Sequence, residues 1–250
     1  MLDGLKRMLI RDRARAHWRE VEAWSRDRDF HFRRARDDTG FVIDVKLGER
    51  SVRLEWGPSQ RDYIVGAELR LRTELGLPQG LQLLVLSRPL MHELERATFE
   101  RFTDSMQTHI DTSTPEEMRW LAMFPKFSFG AGGSAIAARI GAVGSSRTAL
   151  SRWIEGPLAE EIEKSGKNAL AFPTPFVLMT LRGRVLLRLG LPIPRVDALA
   201  QALSLFGVAV ERAAHIADLP VGAASEWSST TVSALRTPEV AQEDQPKRRG

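Results

Sequence analysis

The chain contains no cysteine, which excludes disulfides, zinc-thiolate sites, iron–sulfur clusters and thiol nucleophiles. It also lacks a long hydrophobic run. The longest mostly apolar stretch, Ala135 to Val143, is nine residues and includes Arg139, whereas a spanning helix needs roughly 20. No export signal is expected, because Lys6, Arg7 and Arg11 arrive before an apolar core accumulates. The expected location is the cytoplasm, with peripheral attachment at the inner face of a membrane as a variant. The five histidines, His17, His31, His92, His109 and His215, are scattered with no two at helical ligand spacing, so no metal site and no cofactor are expected.

Catalytic and nucleotide signatures are equally sparse. Gly130-Ala131-Gly132-Gly133-Ser134-Ala135 has the glycine spacing of a dinucleotide-binding turn, but Pro125 and Lys126 stand where a buried first strand belongs. A flexible linker or a tightly packed small-residue helix accounts for it better. A serine nucleophile elbow needs glycines two positions either side of the serine; Ser134 has Gly132 but Ile136, and Ser145 and Ser146 fare no better.

What is present is a 250-residue chain, 43% apolar, with enough hydrophobic material for one large domain or two small ones. Its net charge of +4 is concentrated at one end, since residues 1–36 hold 11 Lys and Arg against 6 Asp and Glu. Residues 1–28 read as a basic amphipathic helix. Leu2, Leu5, Met8 and Leu9 lie on one helical face and Ile10, Ala14, Trp18, Val21 and Trp24 on another, so its halves meet different surroundings. Lys6, Arg7, Arg11, Arg13 and Arg15 make this segment a candidate contact for an anionic membrane or for nucleic acid, although Asp3, Asp12, Glu20 and Glu22 dilute it.

Residues 29–125 carry the sheet. Phe41, Ile43, Val45 and Leu47 alternate with Val42, Asp44 and Lys46 before Gly48-Glu49, and a two-residue turn there pairs Val45 with Val52, Ile43 with Leu54 and Phe41 with Trp56 on one face. Asp44 then opposes Arg53 on the other. A four-residue loop at Asp37–Gly40 sets Phe32 against Val45, Phe30 against Leu47 and Arg34 against Ile43. Strands from Val65 and from Leu81 complete a meander of about five strands. Pro89 opens a helix whose stripe of Leu90, Met91, Leu94, Thr98 and Phe102 is suited to cover the apolar face. Thr114-Pro115-Glu116-Glu117 reads as a capped helix start.

The Gly, Ala and Ser-rich stretch within 126–146 reads as a connection. Residues 147–219 follow as a helix broken at Gly156-Pro157, a buried hairpin of Phe176–Leu181 and Val185–Leu189, and a long helix, with a mobile tail expected over 220–250. The fold class is α+β with an antiparallel sheet.

The loop from Gly57 to Tyr63 gathers polar groups beside Trp56 and the only tyrosine, so Trp56, Ser59, Gln60, Arg61 and Tyr63 are the candidate binding residues. They favour a non-catalytic protein-binding or scaffolding role with another protein as partner. The alternative is an enzyme working without cysteine or metal, for which His109, Asp111 and Arg61 are the candidate site residues.

Overall fold

The computed structural model describes residues 17–37, 39–104, 114–129, 134–167 and 174–217. Eight strands among them form one antiparallel sheet: β1 (His31–Arg34), β2 (Phe41–Leu47), β3 (Arg50–Pro58), β4 (Ala67–Glu74), β5 (Leu83–Ser87), β6 (Ile140–Gly144), β7 (Phe176–Leu181) and β8 (Arg184–Gly190). Their spatial order is β1-β2-β3-β4-β8-β7-β5-β6, so both halves of the chain contribute to a single sheet. The helices are α1 over residues 17–26, α2 (Arg88–Asp104), α3 (Glu116–Met123), α4 (Ser134–Ala137), α5 (Arg147–Ile154), α6 (Pro157–Lys167) and α7 (Val196–His215).

The β2–β3 hairpin has the register that its alternation predicts, with Phe41 opposite Trp56, Ile43 opposite Leu54, Val45 opposite Val52 and Asp44 opposite Arg53. Slipping it by one residue would turn every apolar side chain outward, which is why the pattern specifies it. The β7–β8 hairpin turns through Arg182 and Gly183, both at positive φ (50° and 81°), a geometry that costs glycine little.

Three expectations need correction. The meander has four strands, because the β7–β8 hairpin inserts between β4 and β5. β7 is largely apolar on both faces and needs cover above and below, which the middle of the sheet supplies, whereas β8, read as apolar on both faces, turns Arg184 and Arg188 to the second one. The β1–β2 register is shifted by two residues, with Phe32 opposite Ile43 and Arg34 opposite Phe41, because the loop closes as Ala35 N–H donates to the Gly40 carbonyl at 2.9 Å. A two-residue shift preserves the face, so Phe32 still packs on Phe41 at a centroid distance of 5.4 Å. Finally, the small residues read as a connection include β6, all of whose residues are buried. A Cβ on Gly141 would lie 2.0 Å from the Met91 sulfur, so smallness here lets α2 approach the sheet.

The two faces of the sheet differ. The first carries Phe41, Ile43, Leu54, Trp56, Leu71 and Leu187 into the main core with α1, α5, α6 and α7. Trp18 of α1 meets Phe41 and Trp56 edge-on at 6.2 Å, and α7 buries Leu199, Phe206 and Val210. Each such side chain contributes about 1.5–3 kcal/mol on removal from water. On the second face, Leu84, Leu86, Val143, Val177 and Met179 are covered by Leu90, Met91 and Leu94 of α2 and Met118 and Trp120 of α3. The α2 stripe therefore covers this face at the β5–β7 end, and not the face bearing Phe41. Over β1 to β4 the second face carries charged side chains instead.

Candidate functional site

The charged part of the second face begins where β4 meets β8. Glu68 lies between Gly57 of β3 and Gly190 of β8, and these two neighbours without side chains leave room for a fully buried carboxylate. It accepts hydrogen bonds from Arg188 Nη1 at 2.6 Å, from Arg70 Nη1 at 3.2 Å and from the Gln60 backbone N–H at 2.9 Å. A buried carboxylate is tolerated only with donors of this kind around it.

A second buried carboxylate comes from α3. Glu117 accepts from Tyr63 Oη at 2.9 Å and from Arg61 Nε at 3.3 Å, with Arg188 Nε 3.9 Å away. All three approach its Oε1; the buried Oε2 has no hydrogen-bond partner. Arg61 reaches Glu116 at 3.7 Å as well. Burial, reinforced by the Glu117 carboxylate, holds the Tyr63 phenol well above its ordinary pKa range. Burial also penalises the Arg61 charge, but Glu117 and Glu116 outweigh it and raise its pKa. Together these residues form a latch that ties the 59–66 loop and α3 to the sheet.

The sequence reads Glu117 as a helix-capping acid. In the structure Pro115 occupies the N-cap position of α3 without a side-chain capping bond, and Glu117 points at the sheet. The cationic and phenolic donors it meets there offer a buried carboxylate more than a capping bond at the surface does.

Beyond the latch the face opens. Glu55 on β3 receives Arg53 Nε at 2.6 Å and Arg72 Nη2 at 3.3 Å, and Arg70 Nε lies 3.4 Å away. Farther out, Arg33 pairs with Asp44 at 2.5 Å. The side chains of Arg33, Arg53 and Arg72 are 49%, 41% and 48% exposed, so their outer guanidinium edges face solvent.

Of the candidate binding residues, Trp56 stands apart from the rest. Its ring stacks on Phe41 at 5.6 Å in the core of the first face, and its Nε1 donates to the Leu191 carbonyl at 2.8 Å. Ser59 closes the loop locally, accepting from Arg61 N–H at 3.0 Å and donating to the Arg61 carbonyl at 2.8 Å. Gln60, Arg61 and Tyr63 belong to the latch. Glu55, Glu68, Arg70, Arg72, Arg188 and Glu117 were not singled out from sequence. For those on strands the available signal was alternation with buried residues, which places them on one face without revealing their partners; Glu117, on α3, was read only as part of a capped helix start. Lys6, Arg7, Arg11, Arg13, Arg15, His109 and Asp111 lie outside the described residues.

A groove of about 420 Å³ runs between the β2–β3 turn and α7, lined by Leu47, Arg50 and Glu211 among others, and none of the latch residues reaches it. No described helix is long and apolar enough to cross a membrane. No protein family, curated protein or solved structure matches this chain.

Proposed function

We propose that this protein is a non-catalytic recognition domain that binds another protein through the open half of its second sheet face, over β1 to β4. The observation that carries this reading is the half-exposed arginine ladder of Arg33, Arg53 and Arg72, held on a sheet whose other side carries the main core. Recognition groups on rigid strands bind without a large ordering cost. The 57–63 loop fits this reading as the frame of the surface, because its polar groups are already committed to Glu68 and Glu117.

A protein partner suits the face better than nucleic acid. Asp44, Glu55 and Glu74 are interspersed with the arginines and would repel phosphates, and the described face of β1 to β4 offers no Phe, Tyr or Trp on which bases could stack. Mixed signs on a polar surface are what a protein interface rim uses. An enzymatic reading finds less support, since Arg61 is tied into the latch.

A photo-cross-linking side chain placed at the exposed Ser51, two residues from Arg53 on the same face, tests the proposal against the same group at Glu211 of α7, beside the groove. Discrete protein adducts at 51 and none at 211 are expected in cells. The same background at both positions, together with turnover of a metabolite by the purified protein, would replace recognition by catalysis.

A further inference from the structure

We propose that Arg53 and Arg72 form a carboxylate-binding site, and that the partner docks by placing an acidic segment, rich in Asp or Glu, across it. This rests on the reading of the open face as the recognition surface and names the chemistry it selects.

Arg53 and Arg72 stand directly opposite each other on adjacent strands and the same face. Like charges in that position weaken a sheet unless an anion lies between them. Two residues along, Arg70 opposes Glu55 on one side and Arg188 on the other, so guanidinium groups are neighbours across both boundaries of β4. The carboxylate that reaches the Arg53–Arg72 pair is Glu55, and it is shared with Arg70 as well. Glu55 is thus shared among three arginines, of which Arg70 also has Glu68, while Asp44 opposite Arg53 is paired with Arg33.

The three arginines are not equivalent. Arg70 is 17% exposed and commits Nη1 to both the Pro58 carbonyl at 3.1 Å and Glu68 at 3.2 Å, so it belongs to the framework. Arg53 binds Glu55 through Nε, and Arg72 binds it through Nη2. A guanidinium has five N–H donors arranged to grip a carboxylate with two parallel bonds. Most of the donors of Arg53 and Arg72 therefore remain for an external acid, on side chains that are close to half exposed.

Charge also chooses among occupants. Over β1 to β4 and β8, the second face presents Arg33, Lys46, Arg53, Arg70, Arg72, Arg184 and Arg188 against Asp44, Glu55, Glu68 and Glu74, seven positive side chains against four negative. A second copy of this chain would bring the same positive excess against itself. An acidic segment brings the complement, and its side chains can interdigitate with Asp44 and Glu55 where a continuous phosphate backbone cannot.

The test is a calorimetric and NMR titration of the full chain with a capped hexaglutamate peptide at low ionic strength, alongside hexaglutamine and a thymidine oligonucleotide of similar charge. Saturable binding of hexaglutamate is expected, with perturbed amides on β3 and β4 and none from hexaglutamine. The double variant Arg53→Gln/Arg72→Gln should weaken it about tenfold or more while its melting temperature is retained. Arg53→Lys/Arg72→Lys, which keeps the charge but loses the fork, should recover only part of the affinity. Absence of saturable binding, unchanged affinity in the glutamine variant, or tighter binding of the oligonucleotide would each overturn the site. If hexaglutamate fails while the cross-linker at Ser51 still captures a discrete protein, the acidic-segment inference falls and recognition stands; if both fail, both fall.

Discussion

The two halves of the second sheet face are made by the same rule and end differently. At the β5–β7 end the outward positions are Leu84, Leu86, Val143, Val177 and Met179, and α2 and α3 close over them. At the β1–β4 end the equivalent positions are Arg33, Asp44, Arg53, Glu55, Arg70 and Arg72, of which Arg33, Arg53 and Arg72 are close to half exposed. Between the halves stands the latch of Glu68, Glu117, Arg61, Tyr63 and Arg188. The lesson is that cover and charge change together along one sheet, and that the boundary is held by buried carboxylates facing arginine and tyrosine donors.

The boundary is where a substitution should do most. Glu117→Ala leaves Arg61, Tyr63 and Arg188 without their shared acceptor and should cost about 3 kcal/mol in chemical denaturation, the range expected when one partner of a buried pair is removed. Because α3 is tethered through this residue, the variant should also bind a hydrophobic dye as Val177 and Met179 lose cover. A loss no larger than that of an exposed ion pair would mean that the latch does not hold the covered half.

The same boundary should show in alkali. Burial and Glu117 raise the folded pKa of Tyr63 above its unfolded value of about 10, so the proton is held more tightly in the folded state. Its contribution is fully present below about pH 10 and is lost as pH rises beyond that. Tyr63 is the only tyrosine, so the phenolate absorbance reports on it alone. Absorbance and unfolding should rise together, and Tyr63→Phe should be less sensitive over the same range. A phenolate signal that appears near pH 10 in folded protein would contradict the buried hydrogen bond.

In the open half the expected effects are small. Asp44→Ala removes a cross-strand pair with Arg33 that is a third to a half exposed, and should cost about 0.5 kcal/mol or less by thermal denaturation.

How much of this was legible in the sequence follows the range of the interactions. The β2–β3 hairpin was readable residue by residue, because alternation and a two-residue turn fix a register locally. The helix break at Gly156, at a φ of 78°, was equally local. The neighbour of β4 was not readable. Its partner β8 comes from more than a hundred residues later, and a mostly apolar run says only that a strand is central. Local chemistry was misleading twice. Glu117 sits in a good capping motif, yet its partner Arg61 is 56 residues away. Gly141 looks like part of a linker until α2 is placed against it. The loop residues Gln60, Arg61 and Tyr63 meet the buried carboxylates Glu68 and Glu117, whereas Trp56, grouped with them by proximity in sequence, packs on the opposite face.

The central claim is that the arginine excess on the open half serves binding and not the fold. The most direct measurement is the stability of Arg72→Thr at low ionic strength, where threonine keeps strand propensity and removes one member of the opposed Arg53–Arg72 pair. Glu55 would retain Arg53 and Arg70. The account predicts that unfolding free energy is unchanged or higher by a few tenths of a kcal/mol, because relief of like-charge repulsion offsets the lost contact. A loss of about 1 kcal/mol or more would contradict it, showing that the ladder exists to hold the sheet together.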